Sequence, residues 1–187
     1  MKSSERDQVR EKEMRANFDA TLPYRLERAA RVNLQSIFPA HWFAAAASEC
    51  AGMYIAGFFY GAISVAQAYI EALSKFLAEH HRVPARKDSE ERCRRLQKAG
   101  IISKAAMTAA VAVLDSRNAF HHLYSDVPQQ YNELKARAEQ CINHLHTIES
   151  EVFAYSIEVP GQMTLHKPEY WPSTGPGFAQ GRIRQLW

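Results

Sequence analysis

The chain has 187 residues, 47% hydrophobic and 23% charged, which suits one globular domain with appendages and excludes a disordered chain. Its formal net charge is only +3, so charge alone demands no polyanionic partner. Cys50, Cys93 and Cys141 are odd in number, far apart and outside any metal-binding spacing, which excludes a disulfide framework and points to a reducing compartment.

Residues 1–40 are expected to form an N-terminal helical extension. Residues 3–20 are polar helix formers, and the first fifteen residues lack the apolar run of a signal peptide, which makes the cytoplasm the expected location. The stretch "LPYRLERAARVNLQSIFP" is bounded by Pro23 and Pro39 and is expected to hold a short helix between those breaks. From His41 the texture turns apolar and helical. Residues 50–70 carry no charge over 21 positions, enough to span a bilayer, and contain Gly57-x-x-x-Gly61. Their alanine, Ser64, Gln67 and three tyrosines favour instead two buried helices, 41–56 and 58–80, split at Gly57. The second carries Phe59, Ile63, Ala66, Ile70, Leu73 and Leu77 at helical spacing.

Residues 82–98 hold seven Lys/Arg against three acids. A solvated face is the plain reading of that run; a polyanion-binding one would use Arg86, Lys87, Arg94 and Arg95. Asp88 or Ser89 can cap a helix over 90–99, with Gly100 ending it. Ser103 can cap the next helix, expected over 104–124, which Val127-Pro128 terminates. A last helix is expected over 129–155, with Tyr131, Leu134, Ala138, Cys141, Ile142, Leu145 and Ile148 as its core stripe. The fold class is therefore all-α: an antiparallel bundle of four or five helices over 41–157. Residues 158–187, dense in proline, glycine and aromatics, should form an extended tail, open to a short strand pairing, that wraps the bundle, with Tyr170, Trp171, Phe178 and Trp187 packing on it rather than stacking bases.

One stretch breaks the apolar pattern. In "LDSRNAFHHLYSD", residues 114–126, an arginine, an asparagine and two histidines arrive where the buried face should continue. At about 100° per residue, Arg117, Asn118, His121 and His122 fall in the sector that Met107, Ala110, Val111 and Leu114 occupy before them. Buried polar groups need partners, so the pattern implies an internal polar network or a site. The chemistry suits metal-free RNA cleavage. A guanidinium grips phosphate by a planar fork and stays charged. An imidazole exchanges protons near neutrality. The ribose 2′-OH is an internal nucleophile, so an enzyme need only neutralise developing charge and move protons. No His/Cys/Asp set has metal spacing, and no metal or cofactor is expected.

"RNAFHH" resembles the R-x4–6-H motif of the HEPN superfamily in its Arg-Asn-x-x-x-His form, with His122 in the motif position. "FFYGAISVAQAYIEALSKFL" is similar to the family's alanine-rich early helix, and "LQKAGIISKAAMTAAVAVLDSRNAFHH" to the segment leading into its motif helix. The resemblance covers about residues 41–155. It implies a compact helical bundle that dimerises with motif helices facing each other, and a metal-independent ribonuclease leaving 2′,3′-cyclic phosphate and 5′-OH ends. It further implies that Arg117 holds the phosphate, His122 transfers protons and Asn118 orients the site. His121, four residues from Arg117, is the better placed of the two imidazoles for a same-face contact, so which histidine acts stays open. Glu71 is placed to pair with Arg117 or, equally, to sit exposed near Lys75. The expected partners are single-stranded RNA, a second copy, and an antitoxin protein in a toxin–antitoxin or phage-defence setting, with no membrane. Two other readings stand beside it: a non-catalytic HEPN module that binds nucleotide or RNA or regulates a partner, and a helical scaffold or membrane-associated protein.

Overall fold

A computed structural model of the chain describes residues 5–84, 88–122, 124–125, 127–160, 162–175 and 178–184. It is mostly helical: α1 (Glu5–Ala30), α2 (Trp42–Ala56), α3 (Phe59–His80), α4 (Ser89–Lys98), α5 (Lys104–Leu114), α6 (Arg117–His122) and α7 (Tyr131–Val152). Six short strands accompany them: β1 (Ile37–Pro39), β2 (Tyr155–Val159), β3 (Gln162–Leu165), β4 (Ser173–Gly175), β5 (Phe178–Ala179) and β6 (Gly181–Ile183). They pair antiparallel as β1–β6, β2–β3 and β4–β5.

The body is α2, α3, α5 and α7, with α4 packed against α3 and α5. The stripe Phe59, Ile63, Ala66, Ile70, Leu73 and Leu77 is buried throughout, as helical spacing predicts. On α7, Ala138, Cys141, Ile142, Leu145 and Ile148 are buried. Tyr131, expected in that stripe, is instead 58% exposed, its ring edge meeting Phe59 at 5.0 Å. All three cysteines are free and buried, and burial pushes the Cys93 and Cys141 thiols up to about 11.

The apolar run 50–70 is divided at Gly57. That residue is left-handed at φ 94°, and Gly57 and Phe58 donate their N–H groups back to the carbonyls of Tyr54 and Met53 at 3.0 and 2.8 Å. Arg28, 4% exposed, seals the joint by donating Nε to the Ile55 carbonyl at 2.8 Å. Tyrosines of the run find partners inside the bundle. Tyr54 donates to Glu139 at 2.7 Å and Tyr69 to Glu149 at 3.1 Å. Among the described residues, no helix is long and apolar enough to cross a membrane.

Two further expectations are corrected. Pro23 does not break the N-terminal region: α1 runs through it for 26 residues. Proline removes one bond to the Asp19 carbonyl, but this part of α1 is exposed, so that carbonyl is not stranded in the core. The helix expected over 104–124 ends at Leu114 and restarts at Arg117. Short strands accompany the helices, in keeping with the strand pairing that the C-terminal region allows. β6 returns from the C-terminal region to pair with β1, so segments 1–40 and 158–187 meet as a ribbon beside the bundle. Arg184, just beyond β6, is buried and bonds Glu149 of α7 at 2.9 Å and the Gln35 carbonyl at 2.9 Å. Tyr170 and Trp171 pack on the body, Trp171 meeting Phe153 at 6.2 Å. The Phe178 side chain and Trp187 lie outside the described residues.

Candidate functional site

The polar stretch begins at a break that distant residues impose. Ser103 caps α5 by accepting from the Ala106 N–H at 3.1 Å, as its sequence predicts. At the other end, Arg137 of α7 donates to the Ala112 and Asp115 carbonyls at 2.9 and 3.0 Å, and Gln67 of α3 donates to Asp115 at 3.2 Å. Side chains thus take carbonyls that the next helical turn would have used. Ser116 then adopts φ 58°, a left-handed conformation uncommon outside glycine, and α6 starts in a new direction.

That break resets which residues face inward. On α6 the buried pair is Ala119 and Phe120. Asn118, His121 and His122 are exposed and Arg117 is half-buried. The four polar residues therefore do not continue the α5 core face; they lie on the outer side of α6.

One stripe of α3 fixes α6 in place. Tyr60, Gln67 and Glu71, spaced i, i+7 and i+11, share a helix face. The Tyr60 hydroxyl donates to the Phe120 carbonyl, and the two rings meet at 5.5 Å. Gln67, fully buried, holds Asp115. Glu71 pairs with Arg117, Nη2 to Oε2, at 2.5 Å. Both partners are over a third exposed, so the pair orients the guanidinium more than it stabilises the fold. The Arg117 Nε is enclosed and has no hydrogen-bond partner. Tyr60→Phe keeps the ring packing and removes one donor, so it should lower stability by about 1 kcal/mol in urea unfolding.

An open groove of about 640 Å³ lies between the start of α4 and the start of α6. Asp88, Ser89 and Glu90 form one wall; Ser116, Arg117 and Asn118 form the other, with Tyr124 beyond them. His121 and His122 are not among its lining residues. The His122 ring stacks on Tyr124 at 5.7 Å, so it sits one ring away from the groove. His121 feels both members of the ion pair. Burial and the Arg117 charge hold its pKa below the ordinary imidazole value, Glu71 raises it, and His122 lowers it further.

The other candidates fall elsewhere. Arg94 and Arg95 pair with Glu90 and Glu91 along α4 at 3.0 and 2.9 Å. Arg86 and Lys87 lie outside the described residues. Arg92, which sequence reading did not single out, is buried and donates to Ser74 and Ser89 at 3.0 and 2.9 Å and to the Glu71 carbonyl at 3.3 Å. Its signal was available: Ser89, Arg92, Cys93 and Leu96 share the buried face of α4. Among the described residues, no group of His, Cys, Asp and Glu is arranged to hold a metal ion. Comparisons with protein-family models, curated proteins and solved structures find no match to the chain.

Proposed function

We propose that the chain is a metal-independent endoribonuclease of HEPN type acting on single-stranded RNA. The observation that carries this reading is the α6 cluster: Arg117 on the wall of an open groove, held by Glu71, with His121 within electrostatic reach. In the proposed reaction the 2′-oxygen attacks phosphorus while an imidazole removes its proton. The phosphorus–O5′ bond breaks and the leaving oxygen takes up a proton, giving 2′,3′-cyclic phosphate and 5′-OH ends. Arg117 neutralises the charge that grows on the phosphoryl oxygens. Asn118, exposed beside it, would orient the phosphate. A second copy would add a second such set, and an antitoxin or phage-defence setting belongs to the same proposal.

A second reading has its own support. The imidazoles do not line the groove that Arg117 and Asn118 line, which suits a module that binds a nucleotide or RNA phosphate without turnover. One assay separates the two. Purified protein is incubated with mixed single-stranded RNA in EDTA, and the product ends are identified. The ribonuclease reading expects cyclic phosphate ends, lost by at least about a hundredfold in Arg117→Ala. The exposed and distant His166→Ala should cleave like the unsubstituted chain. RNA retention without cleavage, weakened by Arg117→Ala, favours the binding module. Neither cleavage nor retention removes both readings.

A further inference from the structure

We infer that α1 pairs with α1 of a second copy of this chain, in an antiparallel contact centred on Phe18. Residues 6–20 are exposed along their whole length, and near the C-terminal end of the helix the buried Arg28 anchors it to the body. A projecting helix of this length gains little from propensity alone; in proteins such helices are stabilised mostly by packing an amphipathic face. This one has such a face. Met14, Phe18, Leu22 and Leu26 recur every fourth residue and are 64, 48, 38 and 62% exposed. Pro23 falls outside the stripe and leaves it unbroken.

Charge selects the occupant. Residues 5–27 hold five basic and six acidic side chains, so the helix is nearly neutral and suits neither a polyanion nor an anionic membrane. It is self-complementary when two copies run antiparallel. With Phe18 facing Phe18 of the other copy, Met14 meets Leu22, and Leu26 lies along the aliphatic stem of Arg10. In the same register Glu11 comes opposite Arg25. Arg25 is already aligned on this face, its guanidinium 4.8 Å from the Phe18 ring centre, and its Nε is enclosed and lacks a hydrogen-bond partner. The seam from Arg10 to Leu26 is about 24 Å long in each copy. This contact is independent of the ribonuclease reading.

The test is the mass of the full chain by sedimentation over a range of concentrations. The unsubstituted chain should dimerise. Phe18→Glu, and Arg25→Glu alone, should each raise the dimer dissociation constant by about tenfold or more, with helix content and the thermal transition of the body retained. Arg25→Glu combined with Glu11→Arg should restore the dimer. A chain that stays monomeric throughout, or a dimer indifferent to Phe18→Glu, overturns the pairing. Dissociation that the double reversal does not repair overturns the antiparallel register. Binding of the monomer to neutral or anionic vesicles in place of dimerisation assigns the stripe to a membrane surface and overturns it as well.

Discussion

Arg184→Met is expected to cost about 3–5 kcal/mol of folding stability, the usual penalty for stranding one partner of a buried ion pair. Both side chains of the Arg184–Glu149 pair are 2% exposed, at 2.9 Å. Tyr69, fully buried, donates to the same carboxylate. Burial pushes Glu149 above the ordinary carboxylate range, while Arg184 and the Tyr69 hydrogen bond draw it back. Removing the guanidinium lifts Glu149 further. A carboxyl whose folded pKa exceeds its unfolded one binds more protons in the folded state between those values. Its contribution is therefore fullest below the unfolded pKa and is lost as pH rises through the folded one. The variant should thus show a smaller deficit in mildly acidic than in neutral buffer, measured by urea unfolding. Adding Glu149→Leu should recover part of the loss, because the stranded charge is gone, while the buried Tyr69 hydroxyl and Gln35 carbonyl each stay without that partner at about 1–3 kcal/mol. A uniform deficit at every pH, unrelieved by the double substitution, would show that Arg184 acts through packing instead.

The elements legible in the sequence are those set by neighbours in the chain. The α3 stripe follows from helical spacing, and the caps at Asp88 and Ser103 and the stop at Gly57 follow from local backbone chemistry. What escaped depends on residues far apart. The α5–α6 break is made by Gln67 and Arg137, which lie 48 and 22 residues from Asp115. A wheel drawn from Met107 onward cannot contain them, so it carried the polar residues into the core. The β1–β6 ribbon and the Arg184 anchor are likewise long-range. The candidate site divides the same way. Arg117, Asn118 and the histidines were conspicuous as a polar intrusion. Tyr60 and Gln67 were hidden because they sit inside an apolar run, although with Glu71 they form one polar line along α3.

The α6 geometry leads to a kinetic expectation that separates the two imidazoles. His121→Ala should lower kcat/KM for RNA cleavage by about 10²–10⁴-fold, whereas His122→Ala should lower it by about tenfold. His121 is the imidazole coupled to both Arg117 and Glu71, while the His122 ring is stacked on Tyr124. A general base must be neutral to accept the 2′-OH proton. Burial and Arg117 depress the His121 pKa, so the neutral form persists to lower pH and the acid limb of the rate profile should fall below the ordinary imidazole value. Glu71 raises that pKa, so Glu71→Gln should move the limb to lower pH. His122 lowers it, so His122→Ala should move the limb to higher pH. These opposite displacements are a signature that loss of folding cannot imitate, since a destabilised protein loses amplitude without shifting the limb in a charge-dependent direction. A limb that ignores Glu71→Gln, with the larger rate loss in His122→Ala, would transfer the proton-accepting role to His122.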